Sequence, residues 1–225
     1  KDMSVQSIIN RSETINIARN KLAGSTISRS GRLRTNAIGT AQPFKFTVKY
    51  APMQQYSVAR EIIEQLNRLD TVFTETIDIG ASATGLSWIT EYQGNLSSAN
   101  LDLLTVASAS GTILLLSTAS LTGTSPTDYA FKKGDYIQFA NGYKYPYTVT
   151  EDVTVGVVSG SSAILVPLSR GIIAQNGYTI AASNIVAGTD VRWQVKMLSK
   201  PNFTLQPARY IEFDSDFELM EVIED

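Results

Sequence analysis

Apolar and polar residues alternate most regularly in Phe44-Lys45-Phe46-Thr47-Val48-Lys49-Tyr50. A period of two over seven residues predicts a half-buried strand. Pro52 ends it, because proline cannot donate to a sheet ladder. The period then changes. From Ser57 to Leu69, Ala59, Ile62, Ile63, Leu66 and Leu69 fall on one face of a helix. Ser57 is the expected N-cap. Glu61 and Glu64 lie early and Arg68 late, which suits the helix dipole, and Glu64 with Arg68 makes an i,i+4 pair. One helix cannot bury its stripe alone, so it is expected to lie on a sheet.

From Asp70 the texture becomes rich in Ser, Thr, Gly and Ala. Short β-prone runs follow: Ser87-Trp88-Ile89-Thr90, Thr112 to Leu116, Asp135 to Phe139, Tyr147 to Val149, Ser162 to Pro167 and Tyr178 to Ile180. Turn signals such as Gly123, Gly134, Asn141-Gly142, Gly160 and Asn176-Gly177 separate them. Many short strands with regular turns predict a small barrel or sandwich. Alternation returns in Arg192 to Met197, Tyr210 to Phe213 and, imperfectly, Phe217 to Ile223. Residues 4–42 read as a strand, with Thr14-Ile15-Asn16-Ile17 alternating, and a long basic loop punctuated by Gly24, Gly31 and Gly39. The expected fold is mainly β with one helix, of the β or α+β class. Residues 1–75 plus 191–225 are expected to form one discontinuous domain, with residues 76–190 inserted as a second β-domain.

The chain of 225 residues has neither Cys nor His. That excludes disulfides, thiolate metal sites, Ser-His-Asp and Cys-His catalysis and His-containing zinc sites. Net charge is −2, which argues against whole-chain electrostatic binding of nucleic acid. The charge is polarised, however. Residues 1–50 hold nine Lys and Arg against two acids, a balance of +7, and residues 201–225 hold one Arg against seven acids, a balance of −6. The two ends are able to neutralise each other within a subunit or between neighbours. The most apolar run, Thr112 to Leu116, is far shorter than the roughly twenty residues a membrane span needs. Neither membrane insertion nor a signal peptide is expected.

Four groups of residues carry candidate chemistry. Arg29-Ser30-Gly31-Arg32-Leu33-Arg34 suits phosphates or an acidic protein neighbour; no aromatic residues are interleaved with it to stack bases. Asp135, Glu151 and Asp152 read as a metal site, as paired carboxylates, or more simply as a turn and a solvated strand end. Glu212, Asp214, Asp216 and Glu218 alternate, which suggests the polar face of a strand whose other face holds Ile211, Phe213 and Phe217. Tyr136, Phe139, Tyr143, Tyr145 and Tyr147 surround a turn, and suit a protein interface, a core, or stacking on sugar.

Taken in order, the segments resemble the distal tail proteins of bacteriophages. The likeness begins with the basic loop carrying Ser30-Gly31-Arg32. An aromatic strand then runs into Tyr50-Ala51-Pro52-Met53, and a helix follows directly. It continues in Phe131-Lys132-Lys133-Gly134-Asp135-Tyr136-Ile137-Gln138-Phe139, then Tyr145 and Tyr147-Thr148-Val149-Thr150-Glu151-Asp152. It closes on Leu165-Val166-Pro167-Leu168 and Asp214-Ser215-Asp216-Phe217-Glu218-Leu219. Residues 81–121 match nothing in the pattern, and Lys200-Pro201-Asn202 and Gln206-Pro207 interrupt the approach to the C-terminus.

The resemblance implies a split tail-tube-like β-sandwich or barrel with an inserted small OB-like barrel. It implies a virion structural protein of the tail tip or baseplate hub, assembled in the cytoplasm of the infected bacterium. Such a protein forms a ring, a hexamer, that continues the tail tube and serves as an assembly platform. Its partners would be its own copies, the tail tube protein and other baseplate or tail-tip proteins, with DNA only as passing cargo. No catalytic residue, cofactor or metal is expected. The interface residues this reading selects are Arg29, Arg32, Arg34, Tyr143, Tyr145, Tyr147, Glu212, Asp214 and Asp216. The alternatives are another baseplate or connector component and a carbohydrate-binding module that contacts a host glycan through Tyr143, Tyr145 and Tyr147.

Overall fold

A computed structural model of the chain describes residues 5–19, 23–27, 33–37, 42–50, 53–68, 74–81, 85–156, 163–199 and 201–223. The fold is mainly β, with a curled half-barrel sheet. In chain order, α1 (Val5–Asn10) leads into β1 (Ser12–Arg19), the hairpin of β2 (Ala23–Ile27) and β3 (Leu33–Ala37), and β4 (Phe44–Tyr50). β5 (Met53–Gln55), α2 (Tyr56–Arg68) and β6 (Glu75–Ile77) follow. The middle of the chain forms α3 (Ser98–Leu101), β7 (Thr105–Ser110), β8 (Ile113–Ser117), β9 (Tyr129–Phe131), β10 (Tyr136–Phe139), β11 (Tyr147–Thr148), β12 (Val153–Thr154), β13 (Ala163–Pro167) and β14 (Ile185–Ala187). The chain closes with β15 (Trp193–Ser199), β16 (Phe203–Gln206), β17 (Tyr210–Phe213) and β18 (Phe217–Glu221). Two short helices, α1 and α3, therefore join the one that the helical periodicity predicts.

A five-stranded sheet in the order β1-β4-β18-β15-β6 organises both ends of the chain. Its strands alternate as their sequences demand. Phe44, Phe46, Val48 and Tyr50 point inward from β4, Trp193, Val195 and Met197 from β15, and Phe217 and Leu219 from β18. Trp193 is the centre of this core. Its ring meets Tyr136 at 5.4 Å and Phe46 at 5.6 Å, both edge-on, the geometry that favours the ring quadrupoles.

Helix α2 starts at Tyr56, so Ser57 lies in its first turn and is not the cap. The helix has two jobs. Ile62 enters the Trp193 core, while Ala59 and Ile63 cluster with Ile211 of β17. It thereby joins the five-stranded sheet to a second sheet, β16-β17-β5. The expected Glu64–Arg68 pair, Leu66 and Leu69 involve side chains outside those described.

The buried apolar residues form two main clusters. One draws on residues 5–79 and 191–219. The other draws on residues 96–187, from sheets β13-β8-β7, β11-β10-β14 and β12-β9. Two segments expected as strands are not strands. Ser87–Thr90 is a 3-10 turn in which Thr90 Oγ1 donates to the Ser87 carbonyl, a local bond that competes with sheet pairing. Residues 178–180 are irregular and are held by Tyr178, whose hydroxyl donates to the Ala140 carbonyl. The Asn141-Gly142 turn is present, both residues taking positive φ (63° and 90°) as a tight turn of this kind requires.

The turn between β16 and β17 is less comfortable. Ala208 (φ 62°) and Arg209 (φ 69°) are both left-handed, and neither is Gly or Asn. Replacing Ala208 with Gly removes a steric penalty and adds a smaller entropic one. Ala208→Gly is expected to stabilise the fold by about 0.5–1 kcal/mol. Chemical denaturation checks this, and an unchanged or lowered midpoint contradicts it.

Candidate functional site at the junction and the acidic hairpin

The two cores are joined by an ion pair. Arg170 follows β13, Glu221 ends β18, and both side chains are fully buried. Glu221 lies at the third inward position of β18, after Phe217 and Leu219, so strand parity drives its carboxylate into the interior. The contact is a two-pronged fork: Arg170 Nη1 donates to Oε2 at 2.5 Å and Nη2 to Oε1 at 2.7 Å. Nη1 also donates to the Gln42 carbonyl at 3.0 Å and Nη2 to the Pro146 carbonyl at 2.5 Å. The Phe44 N–H donates to Glu221 Oε2 at 3.0 Å. The guanidinium lies 4.9 Å from the Phe44 ring centroid and 5.3 Å from that of Tyr147. Burial raises the Glu221 pKa, and Arg170 and the Phe44 N–H partly offset the rise. Arg170 Nε has no partner among the described residues.

The segments that flank β6 and β15 are also clipped together. Asp78 Oδ2 accepts from Arg192 Nε at 3.2 Å. The Gln138 amide spans the Arg192 backbone, donating to its carbonyl and accepting from its N–H, each at 3.0 Å. Gly80 is packed so closely that a Cβ there would sit 2.1 Å from the Thr189 carbonyl oxygen.

Of the sequence-selected residues, the three tyrosines pack together, apart from the acids of the β17–β18 region. Arg29 and Arg32 lie outside the described residues, and Arg34 lies on β3, whose backbone alone is described. Tyr143, Tyr145 and Tyr147 were expected at an interface and are instead buried in the second core, at 4%, 1% and 0% exposure. Their burial is possible because the hydroxyls find partners inside. Tyr143 and Tyr147 share a hydroxyl–hydroxyl bond of 2.6 Å, Tyr143 also donates to the Ile173 carbonyl, and the Ile173 N–H donates to Tyr147 at 2.9 Å. Desolvation raises the pKa of both. A sugar has no access to these three rings.

Asp135 is buried as a turn cap. Its carboxylate accepts from the Lys132 and Gln93 N–H groups at 2.8 and 2.9 Å, and burial raises its pKa. Glu151 and Asp152 are exposed. Among the described residues no group of acidic side chains could hold a metal ion. The acidic run does not lie on one strand. Glu212 lies in β17, Asp214 and Asp216 fall in the bend after it, and Glu218 belongs to β18, where it pairs with Lys45 at 2.7 Å. Glu212 accepts from Gln206 Nε2 at 3.1 Å, while Asp214 and Asp216 are exposed.

Sequence reasoning missed Arg170 and Glu221. The signal was present only as the broken alternation at the end of β18. Searches against protein-family models and against curated proteins find no match for the chain.

Losing one partner of a buried pair strands a charge, whereas losing both does not. Arg170→Met and Glu221→Leu are each expected to cost about 3–5 kcal/mol, and the double variant less than either alone. Urea unfolding of the three variants checks this, and simple additivity contradicts it.

Proposed function

We propose that the chain is a structural protein of a bacteriophage virion, at the tail tip or baseplate hub. In this reading it forms a ring that continues the tail tube and serves as a platform for other tip proteins. Residues 1–75 and 191–225 would supply a tail-tube-like β-domain, and residues 76–190 an OB-like inserted barrel. The order of motifs along the chain supports this assignment.

One observation carries it. β1 is an eight-residue strand at the edge of its sheet, and β16 is the edge of another, with Leu205 62% exposed beside the exposed Phe203. Sheet edges with exposed apolar side chains invite pairing with another chain, and a closed ring of copies removes them. The function is then assembly, with no turnover. The basic segment belongs at a subunit contact, because dense positive charge on the channel wall would hold the phosphates of passing DNA.

Mass photometry across a concentration series tests the reading. A stable hexameric species is expected. A ring of another symmetry would move the protein to a different position in the tail, and a strict monomer at every concentration contradicts self-assembly as its function.

A further inference from the structure

The β16–β17 hairpin is held through β17, which pairs with β5 from Tyr210 to Glu212. Ile211 packs on Ala59 and Ile63 of α2, and Phe213 meets Tyr50 and Phe217, each at 5.5 Å. Its outer strand and its turn stand in solvent: residues 203–205 and 207–210 are exposed. Phe203 and Leu205 lie on the side that faces α2, by their register opposite Phe213 and Ile211. Tyr210 lies on the other side, with Met53 of β5 nearby and 57% exposed. β16 is the outer strand of the sheet β16-β17-β5, and such an edge offers unpaired backbone groups to another chain. The hairpin also carries the left-handed Ala208-Arg209 turn, and such strain persists where surrounding contacts hold it.

Its acids also lack an ion-pair partner among the described residues. Within the described residues, the basic and acidic ends of the chain meet in one ion pair, Lys45 with Glu218. Glu221 is taken by Arg170. Among the described residues no Lys or Arg forms an ion pair with Glu212, Asp214 or Asp216. Yet residues 1–50 carry +7 and residues 201–225 carry −6. Two strands of the basic segment hold Arg19 and Lys49 exposed, and β3 holds Arg34.

We propose that the hairpin is an arm that docks on a second copy of this chain. Its apolar residues Phe203, Leu205 and Tyr210 become covered there, and Glu212, Asp214 and Asp216 face the neighbour's basic N-terminal segment. This rests on the ring reading and names the contact that closes the ring. An acidic arm meeting a basic segment is a head-to-tail contact, the kind that generates rings. Opposite charge sets its register and partner choice, and the covered apolar residues supply the affinity.

The test compares four variants with the wild type by mass photometry, with thermal unfolding as the control for folding. One reverses the acids (Glu212→Lys, Asp214→Lys, Asp216→Lys). One reverses the bases (Arg19→Glu, Arg34→Glu, Lys49→Glu). A third carries both sets, and a fourth, Phe203→Ser with Leu205→Ser, changes only exposed side chains. Each single set and the serine variant should raise the concentration needed for assembly by about tenfold or more. The doubly reversed chain should assemble as the wild type does. Wild-type-like assembly of the acid-reversed and serine variants overturns the arm and leaves the ring standing. Failure of the doubly reversed but folded chain to recover overturns the pairing with the basic segment. A monomeric wild type overturns arm and ring together.

Discussion

The buried fork between Arg170 and Glu221 is the constraint on which the rest of the arrangement depends. It ties a strand of the five-stranded sheet to the segment after β13, and its remaining hydrogen bonds reach Gln42, Phe44 and Pro146. Residues far apart in the chain must therefore be in place together before either charge can be buried. Such a pair adds little net stability, because desolvation consumes most of the Coulombic gain. What it supplies is geometry. The planar guanidinium meets the carboxylate in one orientation only, and the Phe44 and Tyr147 rings close around it. Gln138, Gly80 and the Asp78–Arg192 pair hold the segments that flank β6 and β15.

A scaffold fixed in this way can present surfaces to neighbours without deforming. The interior accounts for Tyr143, Tyr145 and Tyr147, and Asp135 beside Gly134 is consumed by a turn. Among the described residues, the outside includes the edge strands β1 and β16, the exposed Leu205 and Met53, and the acids Glu212, Asp214 and Asp216, which no Lys or Arg pairs there. These are the materials of protein contacts, and the proposed reading as an assembly component draws on them.

Much of the fold was legible in the sequence, for a physical reason that also marks the limit. Where one face of an element is buried, periodicity records it. β4, β15 and α2 stood out because Phe44, Phe46, Val48, Trp193, Val195 and Ile62 face one core, and Ala59 and Ile63 a small second cluster. β16 was hidden because it lies between Pro201 and Pro207 and its side chains are exposed, so no burial pattern marks it. The same holds for Ser87–Thr90, where local bonding outweighs β propensity. The tyrosines misled because Tyr suits an interface and a core equally, and only partners such as Ile173, distant in sequence, decide between them. The Arg170–Glu221 pair was invisible for that reason too: a single acid at an apolar position records that something compensates it, but not what.

Direct imaging is the sharpest test of the account. Negative-stain electron microscopy of the purified protein, held above its assembly concentration, would show the shape of whatever forms. Annular particles with an open central channel are the result this account predicts. Solid particles without a channel, or open filaments, would contradict it.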